Sequence, residues 1–182
     1  IKEIYSIGGA SAIAAVAYGT KKIRPVNKVI GPGNQFVSAA KKEVSGDIGI
    51  EAMTAGPSEV LIVADKSSNP EWLASDLLGQ AEHDQLAQCI LISKDKNILE
   101  KTKKEVFEQL KNLPRSSIAK KSLMMNGILI YTNSDKKIIE ITNKIGPEHL
   151  ELNVKNYKSF VAKIKNAGSI CLGKYAVMAM TD

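Results

Sequence analysis

The sequence predicts an α/β protein with mostly parallel sheets, and three observations predict it. Short apolar runs rich in Val, Ile and Leu, such as residues 60–63 and 87–92, are bounded by turn residues. Stretches of helical period with charged outer positions, such as 96–113, lie between them. Glycine and proline mark the changes of period, as in Gly31-Pro32-Gly33-Asn34, Gly56-Pro57 and Gly146-Pro147. Strands separated by helices imply βαβ units and right-handed crossovers.

Taken in order, residues 4–7 end a strand, and Gly8-Gly9 opens a helix of small residues over 11–18, stopped at Gly19. A strand over 26–30 runs into the Gly31–Asn34 turn, and a helix follows over 35–44. After Gly56-Pro57 comes the strand 60–63. Asn69-Pro70 then starts a helix to about Glu82, with proline at its favoured first position. Next come a strand over 87–92, a helix over 96–113, a short helix over 117–123 and a strand over 127–131. The helix 134–145 ends at Gly146-Pro147, a short strand covers 150–153, and a helix over 156–166 leads to a last strand at 168–172. The Gly56-Pro57 break divides the chain into two α/β parts, 1–57 and 58–182.

Composition excludes several classes. With 182 residues, 44% hydrophobic and 24% charged, the chain has the makings of a real core and is not a disordered or low-complexity segment. Its apolar stretches are far shorter than the roughly 20 residues of a membrane helix. The net charge of +6 invites a nucleic-acid reading, but Arg24 and Arg115 are the only arginines, and the lysines alternate with acids on helical faces. Aromatics make up 5% and do not interleave with the basic runs, so no stacking groove is expected. Cys89 and Cys171 sit in apolar runs without a CxxC partner, which suits buried strand thiols in a reducing compartment, the cytoplasm. The opening Ile1-Lys2-Glu3 carries no secretory signal and reads as the start of an internal piece of a longer protein.

Only two histidines are present, each in a distinctive string. His83 ends Gly79-Gln80-Ala81-Glu82-His83; Gln80 lies three residues earlier, so the two share a helix face and suit one cation. The plainer reading is a histidine complementing a helix C-terminus. His149 follows Gly146-Pro147-Glu148, a pair of acid/base groups at the entrance of a strand, with a polar capping loop as the alternative. The Gly31–Asn34 turn opens a helix whose amides suit an anion, although it is not the GxGxxG fingerprint. Residue chemistry alone leaves open a metal-dependent hydrolase, disfavoured by the lack of HExxH, and a non-catalytic α/β module that binds an anion or nucleotide.

Five strings in this order resemble the histidinol dehydrogenase family: Gly8-Gly9-Ala10, Gly31-Pro32-Gly33-Asn34, Ala55-Gly56-Pro57-Ser58-Glu59-Val60, Ala74-Ser75-Asp76-Leu77-Leu78 leading into Gln80-Ala81-Glu82-His83, and Gly146-Pro147-Glu148-His149-Leu150. The resemblance implies incomplete Rossmann-like domains built from discontinuous segments. Residues 1–57 form the back half of an NAD-side domain, and 58–182 form most of a second domain carrying metal and catalytic residues. It implies an NAD- and zinc-dependent homodimer that oxidises L-histidinol through L-histidinal to L-histidine. Glu148 activates water and His149 handles the alcohol proton. Gln80, His83 and Asp182 hold the zinc, which a histidine from the partner subunit completes. Substrate contacts fall to Ser58, Gln80, His83, His149 and Asp182, and an NAD contact to Asn34. Ser11 stands where the family often has a glutamine associated with NAD. The resemblance further implies that this segment is inactive alone.

Overall fold

The run Val60-Leu61-Ile62-Val63 is apolar without alternation, as a strand covered on both faces must be. It forms the middle of a sheet in the computed structural model, which describes residues 2–51, 58–175 and 177. The chain divides into two units, Ile1–Gly56 and Pro57–Asp182.

The first unit holds α1 (Gly9–Tyr18), β1 (Lys28–Val29), α2 (Gln35–Glu43) and β2 (Gly49–Ile50). β1 and β2 pair in parallel, with Lys28 opposite Gly49 and Val29 opposite Ile50. Ile13, Ala17 and Val44 are buried at its centre, against Val29, Val37, Ala40, Ile48 and Ile50. The strand expected over 4–7 is not formed. Ile4 and Ile7 are exposed, and no neighbouring strand among the described residues takes up their backbone groups.

The second unit holds β3 (Glu59–Ala64), α3 (Pro70–Ala81), β4 (Gln88–Ser93), α4 (Lys96–Leu110), α5 (Ser116–Asn126), β5 (Gly127–Tyr131), α6 (Asp135–Ile145), β6 (His149–Asn153), α7 (Tyr157–Val161) and β7 (Ser169–Leu172). Among the described residues its five strands are all parallel, in the order β5-β4-β3-β6-β7. Side chains alternate across the sheet. Val60, Ile62 and Ala64 pack with Leu73 and Leu77 of α3, Ile98 and Val106 of α4, and Ala119 of α5. Leu61, Val63, Leu150 and Leu152 pack on the other side with Ile138 of α6 and Phe160 of α7. Each buried Val, Leu, Ile or Phe side chain contributes roughly 1.5–3 kcal/mol by leaving water.

Local chemistry sets the helix ends. Asn69 accepts the Glu71 N–H at 2.9 Å with Pro70 following, and Ser134 accepts the Lys137 N–H at 3.3 Å. α7 is shorter than its period predicts, because Asn143 of α6 draws the following residues out of helix. Its Oδ1 accepts the Lys165 N–H at 2.7 Å and the Asn166 N–H at 3.3 Å, and its Nδ2 donates to the Lys163 carbonyl at 3.0 Å.

The strand order reverses between β3 and β6, and open α/β sheets usually bind ligands at the carboxyl ends of such a pair. Here that crevice is tied up by Asp65. Its carboxylate accepts from the Ser67 N–H and hydroxyl and from the Lys155 N–H, while Ser68 donates to the Asn153 carbonyl at 2.6 Å. Burial opposes ionisation of Asp65, but these hydrogen bonds hold its carboxyl below the usual range. Of the residues singled out in the second unit, Ser58, Gln80, His83, Glu148 and His149 gather at the opposite, amino edge of the sheet.

Candidate active site

α6 ends on Gly146, whose φ of +61° is the left-handed cap that glycine adopts without strain. Pro147 prevents the helix from resuming, and the chain enters β6 with Glu148 at the edge of the sheet. Ser58, just ahead of β3, donates its hydroxyl to Glu148 Oε2 at 2.6 Å. The Glu148 side chain is 58% exposed, so one oxygen is anchored while the group still faces water.

His149 is the first residue of β6, opposite Val60 of β3 and Ser169 of β7, and it is buried. Its Nδ1 lies 3.1 Å from Ser169 Oγ. The Ser169 hydroxyl donates to the Glu148 carbonyl at 3.2 Å, and its N–H reaches the same oxygen at 2.8 Å. A Ser169 hydroxyl whose proton lies on that carbonyl has an oxygen lone pair for an Nδ1–H, the tautomer in which Nε2 carries the lone pair. Nε2 stands 3.9 Å from Glu148 Oε1. Gly168 permits this close approach of β7, since a Cβ there would meet the Glu148 carbonyl oxygen at 2.7 Å.

α3 runs back from the carboxyl ends of the strands to the amino edge. Gln80, in its last turn, is 1% exposed and belongs to the side of the sheet that carries His149. Neither its Oε1 nor its Nε2 meets a hydrogen-bond partner among the described residues. Burying an unsatisfied amide costs about 1–3 kcal/mol, so this side chain suits a group that the segment does not itself supply. His83 lies just past the helix, exposed. Its carbonyl receives the Arg115 guanidinium at 3.4 Å, and it lines a half-open cavity of about 400 Å³ with Arg115 and Lys121. The three-residue spacing thus brings Gln80 and His83 to one end of α3 but into different surroundings. Asp182 lies outside the described residues, and among those described no three His, Cys, Asp or Glu side chains form a metal cluster. The unpaired amide of Gln80 leaves a donor atom open to a cation, and the rest of such a ligand set is not assembled among the described residues.

In the first unit Asn34 caps α2. Its Oδ1 accepts the Phe36 and Val37 N–H groups, both at 3.1 Å, so two amides that an anion would need are already satisfied. Gly31 has a φ of +121°, and its carbonyl receives the ammonium of the buried Lys41. A Cβ at Gly33 would run into Val37, at 2.3 Å from its nearest methyl. The turn therefore has a held shape, with the Asn34 amide at its outer end.

A family profile described as Histidinol dehydrogenase matches residues 1–182. The chain belongs to that family. It is 76% identical over its whole length to a histidinol dehydrogenase of Pelagibacter ubique (strain HTCC1062), and 49% identical to one of Listeria monocytogenes serovar 1/2a. In each case it spans 42% of the relative's length. A crystal structure of histidinol dehydrogenase from Elizabethkingia anophelis superposes with a TM-score of 0.91 at 44% identity, over 98% of this chain and 41% of that one. A gamma-glutamyl phosphate reductase from Thermotoga maritima shares the fold alone, with a TM-score of 0.52 at 14% identity.

Within this member of the histidinol dehydrogenase family, sequence reasoning missed Ser169, Lys41 and the buried acid Glu151. A serine in an apolar run carries no local signal; only the β6–β7 register sets Ser169 beside His149. Lys41 reads as one of many surface lysines until the fold buries it. For Glu151 the signal is present: it is a charged residue inside a strand pattern, between Leu150 and Leu152. The thiol expectation holds for Cys89, which is buried and whose pKa burial pushes up to about 12, whereas Cys171 is half-buried.

Proposed function

We propose that this chain is the catalytic segment of an enzyme that oxidises L-histidinol through L-histidinal to L-histidine, with NAD and zinc. The observation that carries the reading is the pairing, at one edge of the sheet, of the exposed Glu148 carboxylate with the buried His149 imidazole held beside Ser169, in a chain of this family. NAD would supply the hydride acceptor and zinc the orientation and polarisation of the amino alcohol.

His149 Nε2 accepts the hydroxyl proton as the alcohol becomes the aldehyde. The Nδ1–H bond to Ser169 holds the ring while positive charge develops on it. Glu148, anchored by Ser58, takes a proton from the water that adds to the aldehyde carbon, giving the hydrate that is oxidised to the acid. Gln80, His83 and Asp182 would hold the metal and, with Ser58 and His149, the substrate. Asn34 would contact NAD. On this reading the enzyme is a cytoplasmic homodimer whose partner subunit completes the metal site.

The first test is histidinol-dependent NADH formation by the full-length polypeptide containing these residues, with zinc, beside its Glu148→Gln variant. Turnover in the parent with acid formation lost in the variant is the expected result. A folded, zinc-loaded parent that yields no NADH overturns the reading. The 182-residue segment assayed alone is expected to be inactive, since it spans 42% of its relatives.

A further inference from the structure

α3 ends at Ala81, and His83 lies beyond it, so helical spacing alone does not fix His83 relative to Gln80. Its place depends on the backbone of the loop 82–87, which joins α3 to β4. That loop is held from α5. The guanidinium of Arg115, the residue that precedes α5, donates to the His83 carbonyl at 3.4 Å. Ser122 Oγ donates to the Ala87 carbonyl at 2.8 Å, and Asn126 Nδ2 to the Gln85 carbonyl at 3.5 Å. Alternate carbonyls of one loop are thus taken by side chains of one helix and its cap.

The spacing along α5 makes this possible. Residues 115, 119, 122 and 126 recur at intervals of four, three and four, the stripe of a single helix face. Ala119 and Ser122, in the middle of the stripe, are fully buried, Ala119 in the core beside α3. The loop's own N–H groups are spent elsewhere. His83 N–H donates to the Gln80 carbonyl at 3.2 Å, Leu86 N–H to Asp84 Oδ1 at 2.8 Å, and Ala87 N–H to the Asp84 carbonyl at 3.1 Å. Gln88 N–H, where β4 begins, donates at 3.1 Å to the carbonyl of Ser58, the residue that anchors Glu148. Residues 83–86 are exposed and border the half-open cavity of about 400 Å³, so apolar packing holds them little and backbone hydrogen bonds set their path.

We propose that Arg115, Ser122 and Asn126 are positioning residues that hold the α3–β4 loop and so set His83 in place relative to Gln80. This rests on the reading above that Gln80 and His83 hold the metal.

The test uses the full-length polypeptide, stripped of metal, with Arg115→Met, Ser122→Ala and His83→Ala. Zinc affinity is read by competition with a chromogenic chelator. Arg115 is exposed, so Arg115→Met leaves the Tm of the metal-free state unchanged but weakens zinc binding about tenfold. In a His83→Ala background the same substitution weakens it no further. Hydrogen exchange in the metal-free state reads the loop without reference to zinc: the Leu86 and Ala87 amides exchange about fivefold faster in Arg115→Met and in Ser122→Ala, while those of β3 are unchanged. The proposal is overturned if Arg115→Met binds zinc as tightly as the parent, if its loss is as large in the His83→Ala background, or if loop exchange is unchanged in both variants. A parent that binds no zinc, or a His83→Ala variant that binds it as the parent does, overturns the metal reading instead, and loop exchange then decides whether α5 holds the loop.

Discussion

Ser58 donates a 2.6 Å hydrogen bond to Glu148 across 90 residues of chain. The two meet because β3 and β6 are parallel neighbours, so the residues that precede them emerge at the same edge of the sheet. A short hydrogen bond to a carboxylate is worth about 1.5–3 kcal/mol. Here it also aims the group. Replacing Ser58 with alanine leaves Glu148 charged but unanchored. In kcat, acid formation should slow about tenfold while the first oxidation changes little, read at saturating substrate as accumulation of the aldehyde in a trapping assay, with the lost substrate contact showing in KM. Equal slowing of both steps would refute the assignment of water activation to Glu148.

Ser169 Oγ is the acceptor available to a His149 Nδ1–H, at 3.1 Å, when its own proton lies on the Glu148 carbonyl. Ser169→Ala removes that acceptor. The first oxidation should fall about tenfold, with recovery in Ser169→Thr, which restores a hydroxyl. Comparing the kcat of the two variants checks this; similar losses in both would mean that the effect is one of packing.

Gln80 is a buried amide without a partner among the described residues, so on that account its presence is a cost to the metal-free fold. Gln80→Leu should stabilise the metal-free full-length polypeptide by about 1 kcal/mol, seen as a raised Tm, and at the same time lower its zinc content after dialysis. A Tm that falls in the metal-free state would show that Gln80 is satisfied by residues outside those described.

Glu151 should make stability depend on pH. Its carboxyl titrates near 4.5 in an ordinary setting and at about 8 in the fold, where burial holds the proton on. Between those values the folded state keeps a proton that the unfolded state has lost. Stability is therefore full below about pH 4.5 and falls as pH rises toward 8, with a slope approaching about 1.4 kcal/mol per pH unit. Asp65, whose carboxyl is held low, acts below this window. Urea unfolding at pH 5 and pH 8 measures the slope, and Glu151→Gln should flatten it.

Much of the second unit was legible in its residues. The strand over 127–131 and the helix over 134–145 lie within a residue of their observed bounds, because turn or capping residues flank both. Cases that failed have physical causes outside the segment. Residues 4–7 look like a strand but join no ladder among the described residues, and α7 is cut short by Asn143, which is remote in sequence. β2 is two residues long and has no sequence signature; pairing with β1 defines it.

The site divides in the same way. The sequence by itself determined the chemistry at hand: the adjacent Glu148 and His149, Gln80 at helical spacing from His83, and the glycine that turns the chain into β6. Those are local properties of residue type and spacing. Only the tertiary structure decided which groups act together. The parallel β3–β6 register joins Ser58 to Glu148, the β6–β7 register joins Ser169 to His149, and the packing of α3 on the sheet leaves the Gln80 amide buried without a partner among the described residues. A hydrogen bond requires atoms about 3 Å apart, and for residues 20 to 90 positions apart only the fold sets that distance.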